Sequence, residues 1–370
     1  MGTSRSSLRS ASADPAHSPL RVAIDATPLV NGDTGVARYA AQHLAELAKR
    51  ADVEAVPFAI GRGTDAGPGV RRFRTPLRVM HRSWQLARWP TAETLVGPAD
   101  VVHSIDMVPP PTSRPLVMSV HDTLPLEIPH LYSQRAIRHA KAGLAQATRA
   151  QVVLALCDAS ADRISEVAGV DRQRIVVASP GRRPELGAHE PLLRPPYLLA
   201  VGSVTPRKGF QVLIEALAVL GADWPPVIVA GSDGWRADEV HRRASDLGVD
   251  ARVRFLGHVS DADLERLFRH ASALVHPSVA EGFGIPCLEA LGYSTPVVAA
   301  DIPPVRELGA DCIELVEPGD VDALAAGITR VLTDTEHAKA MVARGRERAA
   351  AYTWARMSQV IVEAYQRAAG

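Results

Sequence analysis

The stretch YLLAVGSVTPRKGFQVLIEALAVL (Tyr197–Leu220) decides the fold. Tyr197–Val201 is a short unbroken apolar run, the pattern of a strand covered on both faces. Gly202–Lys208 is a loop rich in turn formers. Gly209–Leu220 then carries apolar residues at helical spacing. The same strand–loop–helix unit occurs earlier, with RVAIDA (Arg21–Ala26) as strand, Thr27–Thr34 as loop and a helix from Gly35 to near Arg50. Apolar runs recur at Val53–Ile60, Val101–His103, Leu116–Val120, Val152–Leu156 and Arg174–Val177. After the quoted unit they recur at Val227–Ala230, Val253–Leu256, Ala273–His276, Pro296–Ala300 and Ile313–Val316. Helical patterns separate them, and Asp320–Ala369 reads as largely helical. Such alternation predicts parallel sheets with helices on both faces. The Pro- and Gly-rich SPGRRPELGAHEPLLRPP, residues 179–196, separates the two series. The expected fold class is therefore α/β, with two doubly wound Rossmann-like domains facing a central cleft. Expected segments are a disordered tail at 1–19, a first domain at 20–182, a linker at 183–195, a second domain at 196–351 and a terminal helix at 352–370. Ligands of such sheets sit at the carboxyl ends of the strands, so the cleft is the expected site.

A length of 370 residues exceeds the usual span of one core and agrees with two domains. The formal net charge of zero argues against nucleic acid as a partner. No apolar run reaches the ~20 residues that span a membrane, and the first nineteen residues lack a signal-peptide core. Cys157, Cys287 and Cys312 are too few and too scattered for a zinc site or a disulfide framework, which fits a cytoplasmic protein.

Three constellations carry the chemistry. EGFGIPCLE (Glu281–Glu289) sets two carboxylates around glycines that admit a ligand to the backbone, ahead of a helix start that favours phosphate. As a glycosidase pair the two glutamates are too far apart. Eight helical residues rise ~12 Å, against roughly 5–9.5 Å in those enzymes. Clamps at the two ends of one ligand fit better. The plainer reading is a glycine turn with Glu289 in solvent. In GSVTPRKG (Gly202–Gly209), Arg207 and Lys208 fall where a helix should begin, an unfavourable place for cations without an anion; the plainer reading is a solvated charge pair. The loop lacks the spacing of a Walker motif. His121 and Asp122 follow a strand of the first domain, where a histidine can donate to a sugar hydroxyl. His103 has a weaker claim of the same kind. NGDTGVARY (Asn31–Tyr39) offers Gly32 and Gly35 for close approach at the cleft, and is not a dinucleotide fingerprint. Arg71, Arg72, Arg74, Arg78, Arg82 and Arg88 interleave with Phe73, Leu77, Met80, Trp84, Leu86 and Trp89. That segment reads first as an ordinary amphipathic surface. Its second reading is a contact for an anionic membrane or a lipid-linked acceptor.

Taken together these residues resemble glycosyltransferase family 4, the retaining transferases of GT-B fold. The resemblance covers most of 21–369 and is densest from Tyr197 to Leu308, where FLGHVSDADLERLFRHASALVHPSVAEGFGIPCLEALGYSTPVVAADIPPVREL carries it. VGSVTPRKG looks like the family's phosphate loop and SVHDTLPLE like its acceptor-side motif. The resemblance implies roles. Glu281 and Glu289 match the two glutamates of the E-x7-E motif, the first near the donor sugar and the second at the ribose hydroxyls. Gly282, Phe283 and Gly284 would meet the sugar, and the backbone from Ile285 through Pro286 and Cys287 to Leu288 the diphosphate. Lys208, with Arg207, would neutralise the leaving diphosphate, and His121 would lie near the reacting centre. Gly35 and Gly202 would approach the donor closely. Val259 and Asp261 would face the base, where a carboxylate suits guanine. Ser203 stands where many relatives have Arg; a mannosyl- and rhamnosyltransferase-like subgroup commonly has a small residue there and keeps the equivalents of Arg207 and Lys208. Ser179-Pro180-Gly181 replaces an Asn-Gly, with Arg182 or Arg183 expected to supply charge.

The resemblance thus implies transfer of a hexosyl group, mannose or similar, from a nucleoside diphosphate to a carbohydrate or lipid-linked acceptor with retained configuration. A GDP-sugar is favoured over a UDP-sugar as co-substrate. No cofactor and no metal are expected, since no DxD-type motif stands at the donor site. The expected location is cytoplasmic, with peripheral contact at the inner face of the membrane as an extension. Two other classes remain: a sugar-nucleotide epimerase of the same fold, and a non-catalytic nucleotide-sugar-binding subunit.

Overall fold

The computed structural model describes residues 18–30, 32 and 34–370. Nearly all of the expected tail, together with Asn31 and Asp33 of the first loop, lies outside the described residues.

Two wholly parallel sheets form the frame. The first contains β1 (Leu20–Asp25), β2 (Val53–Ile60), β3 (Arg71–Phe73), β4 (Val101–Ser104), β5 (Leu116–Ser119), β6 (Val152–Ala155) and β7 (Ile175–Val177), in the order β3-β2-β1-β4-β5-β6-β7. The second contains β8 (Leu198–Val201), β9 (Val227–Ala230), β10 (Val253–Gly257), β11 (Ala273–His276), β12 (Val297–Ala300) and β13 (Glu314–Val316), in the order β10-β9-β8-β11-β12-β13. In each sheet the chain starts at the centre, winds to one edge, then crosses to the other. The strand order therefore reverses between β1 and β4, and between β8 and β11. Those are the points at which a doubly wound sheet opens a crevice for ligand. The expected fold class is what the chain adopts. Central strands such as VVHS of β4 and LLAV of β8 are buried throughout, so their sequences run apolar without alternating.

One element differs from expectation. The segment from Arg71 to Trp89 is not a single amphipathic stretch. Arg71–Phe73 adds to β2 as an edge strand, and the helix Leu77–Ala87 follows Pro76. Three residues carrying two arginines give no strand period, so only the partner strand defines this element. The helix buries Met80 and Trp84 and leaves Val79 and Leu86 exposed.

The helix Trp354–Ala369 packs on β4 to β7 of the first sheet and on the helix Gly35–Leu47. Its Tyr365 hydroxyl meets His103 Nδ1 at 2.6 Å and His43 Nε2 at 2.8 Å. His103 Nε2 reaches Ser119 Oγ at 2.9 Å. Burial, and then the neighbouring His43 and His121, depress the His103 pKa far below its ordinary value, so the ring is neutral. His103 is thus a core histidine tying the last helix to the first sheet, which removes its weaker claim to the site. The chain crosses between the sheets twice, and the two crossings touch. Arg182 N donates to the Tyr352 carbonyl at 3.1 Å. Gly181 approaches so closely that a Cβ there would lie 2.3 Å from Trp354 N.

Candidate functional site

A cleft of about 400 Å³ opens between the carboxyl ends of the two sheets. The loop Gly202–Gly209 leaves β8 and enters it. Pro206–Lys208 forms one 3-10 turn, and Gly209, at φ +65°, starts the helix Phe210–Leu220. A Cβ on Gly209 would lie 2.0 Å from the Pro277 carbonyl oxygen, so glycine alone lets this loop lie against the β11 loop. That approach brings Arg207 and Lys208 to Glu281. Lys208 Nζ donates to Glu281 Oε1 at 2.6 Å, and Arg207 Nη1 lies 2.8 Å from Oε2. His276 Nε2 lies 3.3 Å from Oε1. All four residues are largely buried. Burial opposes charge on Glu281, but Lys208 and Arg207 outweigh it and hold the carboxyl well below its usual range. Burial lowers the Lys208 pKa, with Glu281 opposing, and lowers that of His276. With His276 neutral, two cations face one carboxylate.

The other end of the cleft balances two carboxylates against two arginines. Helix Ile285–Gly292 starts from Gly284, at φ +100°, and places Glu289 one turn in. Glu289 is 4% exposed, so the solvent-exposed reading fails. Its Oε1 accepts from Arg183 Nε at 3.1 Å and from Arg38 Nη1 at 3.5 Å. Asp261 pairs with Arg183, and with Arg38 Nη2 at 3.1 Å. Burial raises the Glu289 pKa, which the two arginines oppose. Of the two arginines after Gly181, Arg183 is the one that turns inward; Arg182 pairs instead with Glu185. The Arg183 charge meets the Glu289–Asp261 end rather than the Lys208 end.

We expect Arg183→Met to cost about 3 kcal/mol of stability, because it strands a buried carboxylate with one distant cation. Urea unfolding of the variant beside the parent measures this, and a loss under about 1 kcal/mol would show that Arg38 alone suffices.

The cleft is drawn shut from the first domain. A Cβ on Gly282 would lie 2.3 Å from the His121 carbonyl oxygen. Ser160 Oγ donates to the Gly282 carbonyl. Across the same seam Glu307 accepts from Asp158 N and Ala159 N, both at 2.9 Å, capping the helix Asp158–Ala168. His121 lines the cleft, with Nε2 placed 3.2 Å from the Ile105 carbonyl and its ring edge-on to Tyr39. Burial depresses its pKa, so the ring is neutral and donates that bond.

Thus Gly35, His121, Gly202, Ser203, Arg207, Lys208, Val259, Asp261, Glu281–Ile285, Pro286 and Glu289 line one cleft. Cys287 and Leu288 do not. Both side chains are fully buried in the core, and both amides bond to the Gly284 carbonyl, at 2.9 Å and 3.3 Å. Pro286 has no N–H. Of the run expected to offer amides to a diphosphate, only Ile285 sits at a helix position that leaves its N–H without an intrahelical partner. Arg38 was missed from sequence. It lies three residues after Gly35 on the cleft-facing side of its helix, a spacing that offered the signal. Among the described residues no group of three His, Cys, Asp or Glu could hold a metal ion, and no helix is long and apolar enough to cross a membrane.

Comparison with known proteins gives two family matches. The profile of Glycosyl transferases group 1 matches residues 184–348, and that of Glycosyltransferase Family 4 matches residues 34–186. The O-antigen chain mannosyltransferase B of Escherichia coli is 32% identical over 173 residues, 46% of this chain and 45% of that protein. The phosphatidyl-myo-inositol mannosyltransferase of Mycolicibacterium smegmatis is 36% identical over 168 residues, 45% of this chain and 43% of that protein. The matched stretch therefore spans less than half the length of either relative. The solved sucrose-phosphate synthase from Thermosynechococcus elongatus superimposes with a TM-score of 0.75 at 20% identity, over 94% of this chain and 98% of that one. It shares the fold.

Proposed function

Because this chain belongs to the glycosyltransferases of group 1 and family 4, with the GT-B fold, we propose that it transfers a hexosyl group from a nucleoside diphosphate to an acceptor hydroxyl, with retained configuration. The observation that carries this reading is the polarity of the cleft. Lys208 and Arg207, two cations on the one carboxylate of Glu281, leave one end with excess positive charge; Glu289 and Asp261, balanced by Arg183 and Arg38, stand at the other, and the start of helix Ile285–Gly292 lies between them. A nucleotide-sugar has the matching order: a sugar and diphosphate at one end, a ribose and base at the other. Lys208 and Arg207 receive the diphosphate, Glu289 accepts from ribose hydroxyls, and Asp261 accepts from the ring N–H and amine of guanine. A GDP-linked mannose or similar sugar is the proposed donor, with no cofactor and no metal ion.

The pairing of Glu281 supports a same-face displacement. Its two oxygens are taken by Lys208 and Arg207, which leaves neither as a nucleophile. Held ionised, the carboxylate faces positive charge developing on the sugar while the cations face negative charge developing on the diphosphate. The acceptor oxygen bonds to the anomeric carbon as the carbon–oxygen bond to phosphate breaks, and the acceptor proton passes to the departing phosphate oxygen. His121, neutral beside the cleft, orients a sugar hydroxyl. A second cavity of about 960 Å³ adjoins the cleft at His121, Asp122 and Arg207, on the side of the first domain. Room for an acceptor favours transfer over epimerisation or simple binding. A peripheral position at the cytoplasmic face of a membrane extends the proposal. Val79, Leu86 and Trp89 stand 58%, 77% and 61% exposed among arginines.

The test is a thermal-shift panel of GDP-, UDP- and dTDP-sugars run in EDTA, followed by mass spectrometry of products with lipid-linked and soluble acceptors. We expect the largest stabilisation from a GDP-sugar and a product heavier than its acceptor by one hexosyl residue. Stabilisation by NAD, or by none of the nucleotides, sinks the proposal. Activity that EDTA abolishes and a divalent ion restores removes its metal-independent part.

A further inference from the structure

The cavity beside the cleft is rimmed by exposed charge that the protein does not neutralise. Arg78 from the helix Leu77–Ala87, and Arg135 and Arg138 from the helix Gln134–Ala147, line it. Among the described residues none of the three guanidinium groups makes a side-chain hydrogen bond or an ion pair. The carboxylates of the same cavity are engaged elsewhere. Asp106 Oδ1 lies 3.3 Å from His139 Nε2, and Asp122 accepts from Leu124 N at 3.2 Å and faces Arg207. Hydrogen bonding to Asp106 raises the His139 pKa, so this pair is balanced within itself and leaves the three arginines unmatched.

This arrangement has local costs. Arg135 stands in the first turn of its helix, where the unpaired N–H groups already carry partial positive charge. Arg138, three residues on, is its like-charged neighbour on the same face. An anion in the cavity relieves both conflicts. Three guanidinium forks suit phosphate better than carboxylate, since a phosphate ester offers more acceptor oxygens and, as a monoester, nearly two charges. The cavity meets the donor cleft at His121, Asp122 and Arg207, so a molecule held at the arginines extends toward the reacting centre.

Resting on the transfer reading above, we infer that the acceptor is a phosphate ester, gripped through its phosphate by Arg78, Arg135 and Arg138, with its reacting hydroxyl directed into the cleft. The phosphate belongs either to a soluble phosphosugar or to a phospholipid head group. The arginines read the group common to both.

The experiment uses the full chain saturated with GDP, so that the donor phosphate site is filled. Calorimetric titration with glucose 6-phosphate, and co-sedimentation with phosphatidylinositol-containing phosphatidylcholine vesicles, are compared between the parent and the R78Q/R135Q/R138Q variant. Circular dichroism and GDP affinity check that the variant is folded. We expect the variant to lose at least about tenfold in affinity for one probe while GDP affinity stays within about twofold. Loss with glucose 6-phosphate assigns a soluble ester, and loss confined to vesicles assigns a head group. Equal binding by both proteins with both probes overturns the inference. Failure of GDP to bind the parent overturns the donor reading instead. The glucose 6-phosphate arm, repeated without nucleotide on a Lys208→Met background, then still decides the arginines.

Discussion

Lys208→Met is expected to lower kcat by about 10²- to 10³-fold, with a much smaller change in donor KM. The ammonium is buried, 2.6 Å from Glu281, at the end of the cleft assigned to the diphosphate. Charge on a leaving diphosphate grows in the transition state, so a cation placed there stabilises the transition state more than the bound donor. Methionine keeps the stem that packs against Gly202, where a glycine Cβ would lie 2.9 Å from the lysine Cε. Arg207 remains on Glu281, so the carboxylate keeps a counterion and the fold is expected to persist. Steady-state kinetics at saturating donor measure the effect. A kcat within about twofold of the parent would remove Lys208 from the chemistry.

The second large effect is steric. Gly282→Ala would set a methyl group 2.3 Å from the His121 carbonyl oxygen and 3.2 Å from Asp122 Cβ. The first obstacle is backbone and has no alternative rotamer, so the two domains must stand apart. A misplacement on the order of 1 Å at a reacting centre costs about 10²-fold in rate. We therefore expect kcat to fall about a hundredfold. GDP affinity should hold within about threefold, because the nucleoside end depends on Glu289 and Asp261 rather than on the seam. Retained kcat would mean that the catalytic arrangement forms without this contact.

The two strand–loop–helix series were legible because each unit is local: strand, turn formers and helical period lie within about 25 residues. Most residues that line the cleft were legible for the same reason, as they sit in a loop after a strand or in the first turns of the helix that follows it. Partnerships across the cleft were not. Arg38 reaches Glu289 over a sequence separation of 251; its spacing from Gly35 points it to the cleft, but nothing in NGDTGVARY names a carboxylate of the other domain as its partner. The pairing of Glu281 with Lys208 is equally remote in sequence, so a cluster of opposite charges was read as separate duties. Cys287 and Leu288 were overread in the other direction. Their motif was informative, but helix geometry spends their amides internally. The edge strand Arg71–Phe73 exists only through its neighbour.

The contact between the chain's two crossings has a mechanical meaning. A single flexible tether lets two bodies twist and slide, as well as hinge. Here Arg182 N and the Tyr352 carbonyl join the outgoing and returning segments side by side, and Gly181 lies against Trp354 without room for a methyl group. Two tethers pinned at one place act as a door hinge. An opening movement would be confined largely to rotation about that pivot, with sideways slip opposed. Any closing movement about it would return His121 over Gly282 and Arg38 over Glu289 along the same arc. Accuracy at the reacting centre is thereby set at the pivot, by a glycine and a backbone hydrogen bond that touch no substrate.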